Sequence, residues 1–169
     1  MNWPASYILL RILCAGLLAP TAADIGRTLY QWVTGFPAVN WSITGRWFLM
    51  VLSGQPYVPG IGSAPALPHE LLAGHLAYYT ISIIFAAVYL AGLAFLGRKP
   101  SLANGLAFGL ATMFLPLLVQ MPLMGMGVFA IDTTTPGLIV MRTLVHHSSF
   151  GLGLALGALL ADKLFRWGS

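Results

Sequence analysis

Side chains able to ionise or to ligate are scarce in this sequence, so the positions they occupy are informative. There are four histidines (His69, His75, His146, His147), four carboxylates (Asp24, Glu70, Asp132, Asp162) and eight Lys or Arg. Histidine is the commonest metal ligand, and His75 and His146 could hold a transition metal with Asp24 or Glu70 as oxygen partners. The same two imidazoles could instead be axial ligands to a haem. Met121, Met124 and Met126, in the run QMPLMGMG, offer thioethers of the kind that select Cu(I), although methionine is equally a filler of apolar gaps. No HExxH-type spacing accompanies these groups. Ser148 and Ser149 follow two histidines, but adjacency along a helix is not a nucleophile–base pair with an orienting carboxylate. The Gly-rich stretches lack the strand–turn–helix setting of a nucleotide loop. No catalytic residue is therefore assigned, and the balance is against an enzyme. Cys14 is the single cysteine, which excludes an intrachain disulfide and a Cys-cluster metal site.

The elements that position these groups must live in lipid. Of 169 residues, 58% are apolar and 7% charged, whereas a soluble domain carries about 25% charged residues. Twelve charges cannot wet the surface of such a chain. That excludes a soluble enzyme, a nucleic-acid module and a disordered chain, and makes the lipid bilayer the first partner. Four segments reach the ~20 apolar residues a membrane helix needs: about 7–33, 70–95, 102–130 and 138–161. No segment alternates like a membrane β-barrel strand. The expected fold is an all-α, integral-membrane four-helix bundle forming a single domain over 1–169. The external loop of about 34–69 is rich in proline and glycine. Within it, WSITGRWFLMVL (41–52) reads as a short interfacial helix or as a loop folded over the bundle.

Arg98 and Lys99 lie between spans two and three, and Lys163 and Arg166 in the tail, which places both termini in the cytoplasm. The net charge of +4 reflects such basic ends rather than nucleic-acid binding. Arg11 interrupts the first apolar run and no basic region precedes it, so a cleaved signal peptide is not expected. With this topology Asp24, Glu70, His75, Gln120, Arg142, His146 and His147 fall in the outer half, and little beyond Arg11 and Asn104 falls in the inner half. Ionisable groups in a bilayer default to a functional reading, while Arg27 and His69 suit interfacial pairing or capping.

Helical periodicity groups Arg142, His146, Ser149, Gly153 and Gly157 on one face of span four, with His147 about 100° away. Gly105, Gly109, Thr112, Pro116 and Gln120 share a face of span three, and His75, Tyr79, Ser82 and Ala86 one of span two. Gly153-x3-Gly157 permits close helix approach, within the bundle or in a homodimer. Pro116 and Pro122 interrupt span three, as in the broken helices of transporters. The leading expectation is a cavity in the outer half that binds a small ligand, ion or metal. The alternatives are a transporter or proton-coupled permease acting as an oligomer, and a structural or accessory subunit with no ligand.

Several runs together carry a family resemblance: Asn40-Trp41-x4-Gly45-Arg46-Trp47, Glu70, Gly74-His75-x2-Tyr78, Gln120-x-Pro122 with Gly125-x-Gly127, Thr135-Pro136, Arg142, His146 or His147, and Phe150-Gly151-x-Gly153. The chain resembles bacterial integral-membrane proteins grouped as domain of unknown function 2938, over nearly its whole length. The resemblance implies a four-helix protein of the bacterial inner membrane and no assigned activity. It nominates Asp24, Asn40, Arg46, Glu70, His75, Gln120, Arg142 and one span-four histidine as site residues. The pattern has a single histidine in span four and does not include the three methionines, which weakens the copper reading.

Overall fold

The computed structural model describes residues 4–167, with side chains through Leu164; the side chain of Arg166 lies outside the described residues. The described residues contain helices and no strand: α1 (Ala5–Thr34), α2 (Trp41–Leu52), α3 (Glu70–Phe95), α4 (Leu102–Thr112), α5 (Met121–Leu123) and α6 (Pro136–Trp167). A π-helical turn over Pro116–Gln120 joins α4 to α5. Four runs are long and apolar enough to cross a membrane: Ala5–Thr34, Glu70–Phe95, Leu102–Leu123 and Pro136–Leu164.

Two prolines shape these runs. Pro20, inside α1, has no N–H for the carbonyl of Gly16. Ser82 of α3 supplies the missing donor at 2.7 Å, and Tyr78 donates to the Pro20 carbonyl at 3.2 Å. In a low-dielectric interior such replacement donors are what make an internal proline tolerable. Pro116 has the stronger effect: the ladder widens, and the Met121 N–H reaches back five residues to the Pro116 carbonyl. This third run ends at Leu123 rather than near residue 130. Gly125 (φ +76°) then turns tightly against Pro59, and Gly127 (φ +73°) against the Asp132 carboxylate, backbone that only glycine adopts without strain.

α6 is the hub. Gly153 and Gly157 press onto α1 at Ala19 and at Cys14–Ala15, while Gly151 meets Gly105 and Gly109 of α4 backbone to backbone. The small-residue stripes of spans three and four are thus consumed by contacts within the chain. α1 also packs on α3, where Gly16 approaches Ile83. The buried core between these helices is correspondingly small-featured, with Ala15, Ala19, Ala23, Ala86 and Ala158 around Phe150 and Leu154.

Helix packing runs α3–α1–α6–α4 and does not close the ring. α3 and α4 are joined near one end by aromatic contacts: Tyr89 with Phe108 (5.4 Å) and Phe85 edge-on to Phe108 (6.3 Å, 83°). Tyr89 also donates to Asn104, whose side chain caps α4 reciprocally with Ser101. Polar groups are not confined to the end that holds α2. At the opposite end Asp162 accepts from Tyr7 (2.7 Å) and pairs with Arg11 (2.9 Å).

α2 is a true helix. Asn40 caps it by accepting from the Ser42 N–H (3.0 Å), the usual role of Asn at that position. It packs across the start of α3 so closely that a Cβ on Gly45 would overlap the Glu70 carbonyl, and one on Gly74 the Trp41 carbonyl. Arg46 locks this crossing with a bidentate pair to Glu70 (Nε–Oε2 2.7 Å, Nη2–Oε1 3.0 Å) and with donations to the carbonyls of Ile61 and Ala64. Glu70 also accepts from the Leu67 N–H at 2.9 Å. The hydrogen-bonded carboxylate pushes the Arg46 guanidinium up from its already high value.

Candidate functional site

Where α3 and the third run part, a cavity of about 340 Å³ lies between them, roofed by α2. Ile81 and Phe85 of α3, Leu115 and Val119 of the third run, Phe48 of α2 and Phe150 of α6 make most of its wall apolar. A second cavity of about 300 Å³ sits between α2, α5 and α6, and is lined by Asn40, Met121, Met124, Met126, Arg142 and Thr143 among others. Trp41, Thr44, Pro116, Gln120, His146 and His147 line both, so the two spaces meet along this set of residues.

The shared wall carries unused hydrogen-bonding capacity. Gln120, presented by the π-helical turn, has no side-chain partner among the described residues. Trp41 Nε1 and His146 Nδ1 are buried without partners, a state that costs about 1–3 kcal/mol for each group. His147 is better anchored. Thr112 Oγ1 lies 2.8 Å from the Gly109 carbonyl and 3.0 Å from His147 Nδ1. If the hydroxyl proton goes to the carbonyl, Nδ1 donates to Thr112 and Nε2 keeps its lone pair; if it goes to Nδ1, the ring hydrogen sits on Nε2.

Aromatic rings link this wall to the ion pair on α1. Trp41 stacks on Tyr78 (4.3 Å, 28°), and Tyr78 leans on His146 (5.7 Å). The Tyr78 hydroxyl lies 3.5 Å from Asp24 Oδ1, and Asp24 is paired with Arg27 at 2.9 Å. The Arg27 guanidinium in turn sits 6.0 Å from the Trp41 ring, within reach of a cation–π contact.

The expected site residues therefore divide. Gln120, His146 and His147 come together on the shared wall, and Asn40 and Arg142 line the second cavity. Asp24 stands behind Tyr78, outside both cavity walls. Arg46 and Glu70 pair with each other and with the loop, and line neither cavity. His75 is exposed and lies 5.9 Å from the Trp41 ring. Tyr78, which periodicity alone did not single out, holds the position expected of it. One residue along a helix is ~100° of rotation, and the inward face of α3 runs through Tyr78, Ile81, Ser82 and Phe85 rather than through His75 and Tyr79. The signal that could have found Tyr78 is its spacing of four and seven from Ser82 and Phe85.

His75 and His146 thus lie in different surroundings, and the described residues contain no group of three or more His, Cys, Asp or Glu able to hold a metal. The three methionines all border the second cavity, and Met126 packs against both of the apolar clusters that hold the other two. Met121 packs with Leu117 and Ile139, while Met124 packs with Trp47 and Ile61, which makes these thioethers core filling.

A family model described as protein of unknown function (DUF2938) matches residues 13–161. No curated protein and no solved structure matches the chain.

Proposed function

The chain belongs to the DUF2938 family, and from the geometry of its cavities we propose that it is a membrane protein that binds a small amphipathic ligand. The observation that carries this reading is the pair of joined cavities, one apolar and one bordered by Arg142 and Asn40, meeting at Gln120, His146 and His147. Their size and character match ligand pockets, which are mostly apolar with a few convergent polar groups. The roofing helix α2, with Trp41 and Trp47 on the cavity side, suits the headgroup layer of a bilayer, where amphipathic rings are favoured.

The test uses the tryptophans as reporters. In a variant with Trp3, Trp32 and Trp167 changed to Phe, Trp41 and Trp47 remain. Titration with dibromostearyl alcohol in neutral lipid nanodiscs should quench them saturably, and oleyl alcohol should reverse it. Thr44→Phe, which fills the shared wall, should leave only the weak linear quenching of lipid-dissolved probe. Linear quenching that is identical in both proteins would sink the proposal.

The excess of Arg and Lys at the end away from α2 supports an orientation with both termini in the cytoplasm and the cavities in the outer half of a bacterial inner membrane. Ser53, after α2, is exposed, and so is Arg98 in the turn after α3. In a Cys14→Ser background, Ser53→Cys should react with an impermeant maleimide on intact cells, and Arg98→Cys only after permeabilisation. The reverse pattern inverts the topology.

A further inference from the structure

Taken together, the walls of the two cavities hold one permanent cation, Arg142, and no carboxylate. Its guanidinium donates one hydrogen bond, to the Pro37 carbonyl at 2.9 Å, and rests on the Phe36 ring at 5.1 Å. These contacts fix the direction of the side chain and leave most of its five N–H donors uncommitted. No carboxylate among the described residues forms an ion pair with it. Asp24, the acid on α1, is held by Arg27. A cation within a membrane-spanning helix and without a counter-charge is costly, and a planar fork with free donors is shaped for a carboxylate or phosphate. The apolar cavity adjoins this charge through Gln120, His146 and His147. Leu115 and Val119 line that apolar cavity while remaining 51% and 50% exposed, so its wall is continuous with the outer, lipid-facing surface of the third run.

We propose that the ligand is an anionic acyl-chain amphiphile, with its carboxylate or phosphate on Arg142 and its chain in the apolar cavity between α3 and the third run. The chain enters sideways from the bilayer, past Leu115 and Val119. Gln120 and the two histidines flank the junction of head and chain and offer it further hydrogen bonds. This inference rests on the cavity reading above and adds the charge of the headgroup.

The experiment titrates the same tryptophan reporter, in zwitterionic nanodiscs, with four probes that share one brominated chain: the alcohol, the amine, the carboxylate and the phosphate monoester. In the native-cavity protein an anion should bind about tenfold or more tightly than the alcohol, the scale of a charge-assisted hydrogen bond, and the amine more weakly. The tighter of the carboxylate and phosphate arms names the headgroup. Arg142→Gln should erase the preference for anions while leaving saturable binding of the alcohol, and Arg142→Lys should retain part of it. Equal affinity for alcohol and anions before any substitution overturns the inference but leaves the cavity reading standing. Loss of saturable binding for all four probes strikes the cavity reading itself. If Arg142→Gln no longer binds even the alcohol, its fold has failed, and the ranking of the four probes in the parent protein and in Arg142→Lys decides.

Discussion

Gly151→Val is expected to destabilise the bundle by about 3 kcal/mol or more. A Cβ at residue 151 would overlap the Gly105 carbonyl oxygen and come within 2.9 Å of the Gly109 Cα. Both obstacles are backbone, so no side chain can swing aside, and the strain is relieved only if α4 moves off α6. That movement would also pull Thr112 away from His147 and open the cavity wall. Overpacking in a well-filled core costs about 1–3 kcal/mol and occasionally more; with two backbone obstacles and a branched side chain, the upper end applies. Cys14, the single thiol, makes the measurement direct, since a thiol-reactive dye reports its exposure as the protein melts. Gly137→Ala is the control, because a Cβ there meets nothing within 4 Å, and it should melt at or slightly above the parent temperature. Coincident melting curves for Gly151→Val and Gly137→Ala would show that the α4–α6 contact is not tight.

The second large effect concerns the loop. Arg46→Met removes four hydrogen bonds at once, two to Glu70 and two to the carbonyls of Ile61 and Ala64. It also strands the Glu70 carboxylate against the Leu67 N–H alone. The segment between α2 and α3 should then open far more often, and limited proteolysis there should become fast while the helices stay protected. Breaking a packed ion pair on one side is worse than removing both partners, because the remaining charge is left uncompensated. The double variant Arg46→Met/Glu70→Met should therefore resist protease better than Arg46→Met alone, a coupling that a double-mutant cycle measures. If the two variants are cut at equal rates, the pair contributes no coupling and the loop is held by its packing instead.

What the residues revealed in advance follows from the range of the physics involved. Hydropathy is local, so four apolar runs and the break at Pro116 were legible. Small residues at helical spacing announced close contacts, and Gly105, Gly109, Gly153 and Gly157 make them. The partners of those stripes were not legible, because Gly153 meets Ala19 from a helix at the other end of the chain. Arg46 and Glu70 could be nominated individually, but their bond spans 24 residues, and no spacing rule connects a loop helix to a later span. The inward face of α3 was legible only in part: Ser82 and Ala86 of the expected stripe are buried, while His75 and Tyr79 are exposed, because apolar positions all around the helix rob periodicity of its contrast. Likewise, counting polar groups by depth overlooked the Tyr7–Arg11–Asp162 cluster, since the partner of Arg11 lies in the last span.

That last cluster also bears on how the protein is made. Tyr7 and Asp162 are 155 residues apart, and ribosomes add about 5–20 residues per second. Arg11 therefore waits on the order of 10 seconds after its own synthesis before its counter-charge exists. Asp24 and Arg27, three residues apart on the same helix, can neutralise each other from the moment they emerge. Of the two charged spots on the first span, one is born complete. The other is a delayed closure that only the arrival of the final helix can make, so a nascent chain stalled before Asp162 still lacks the counter-charge of Arg11.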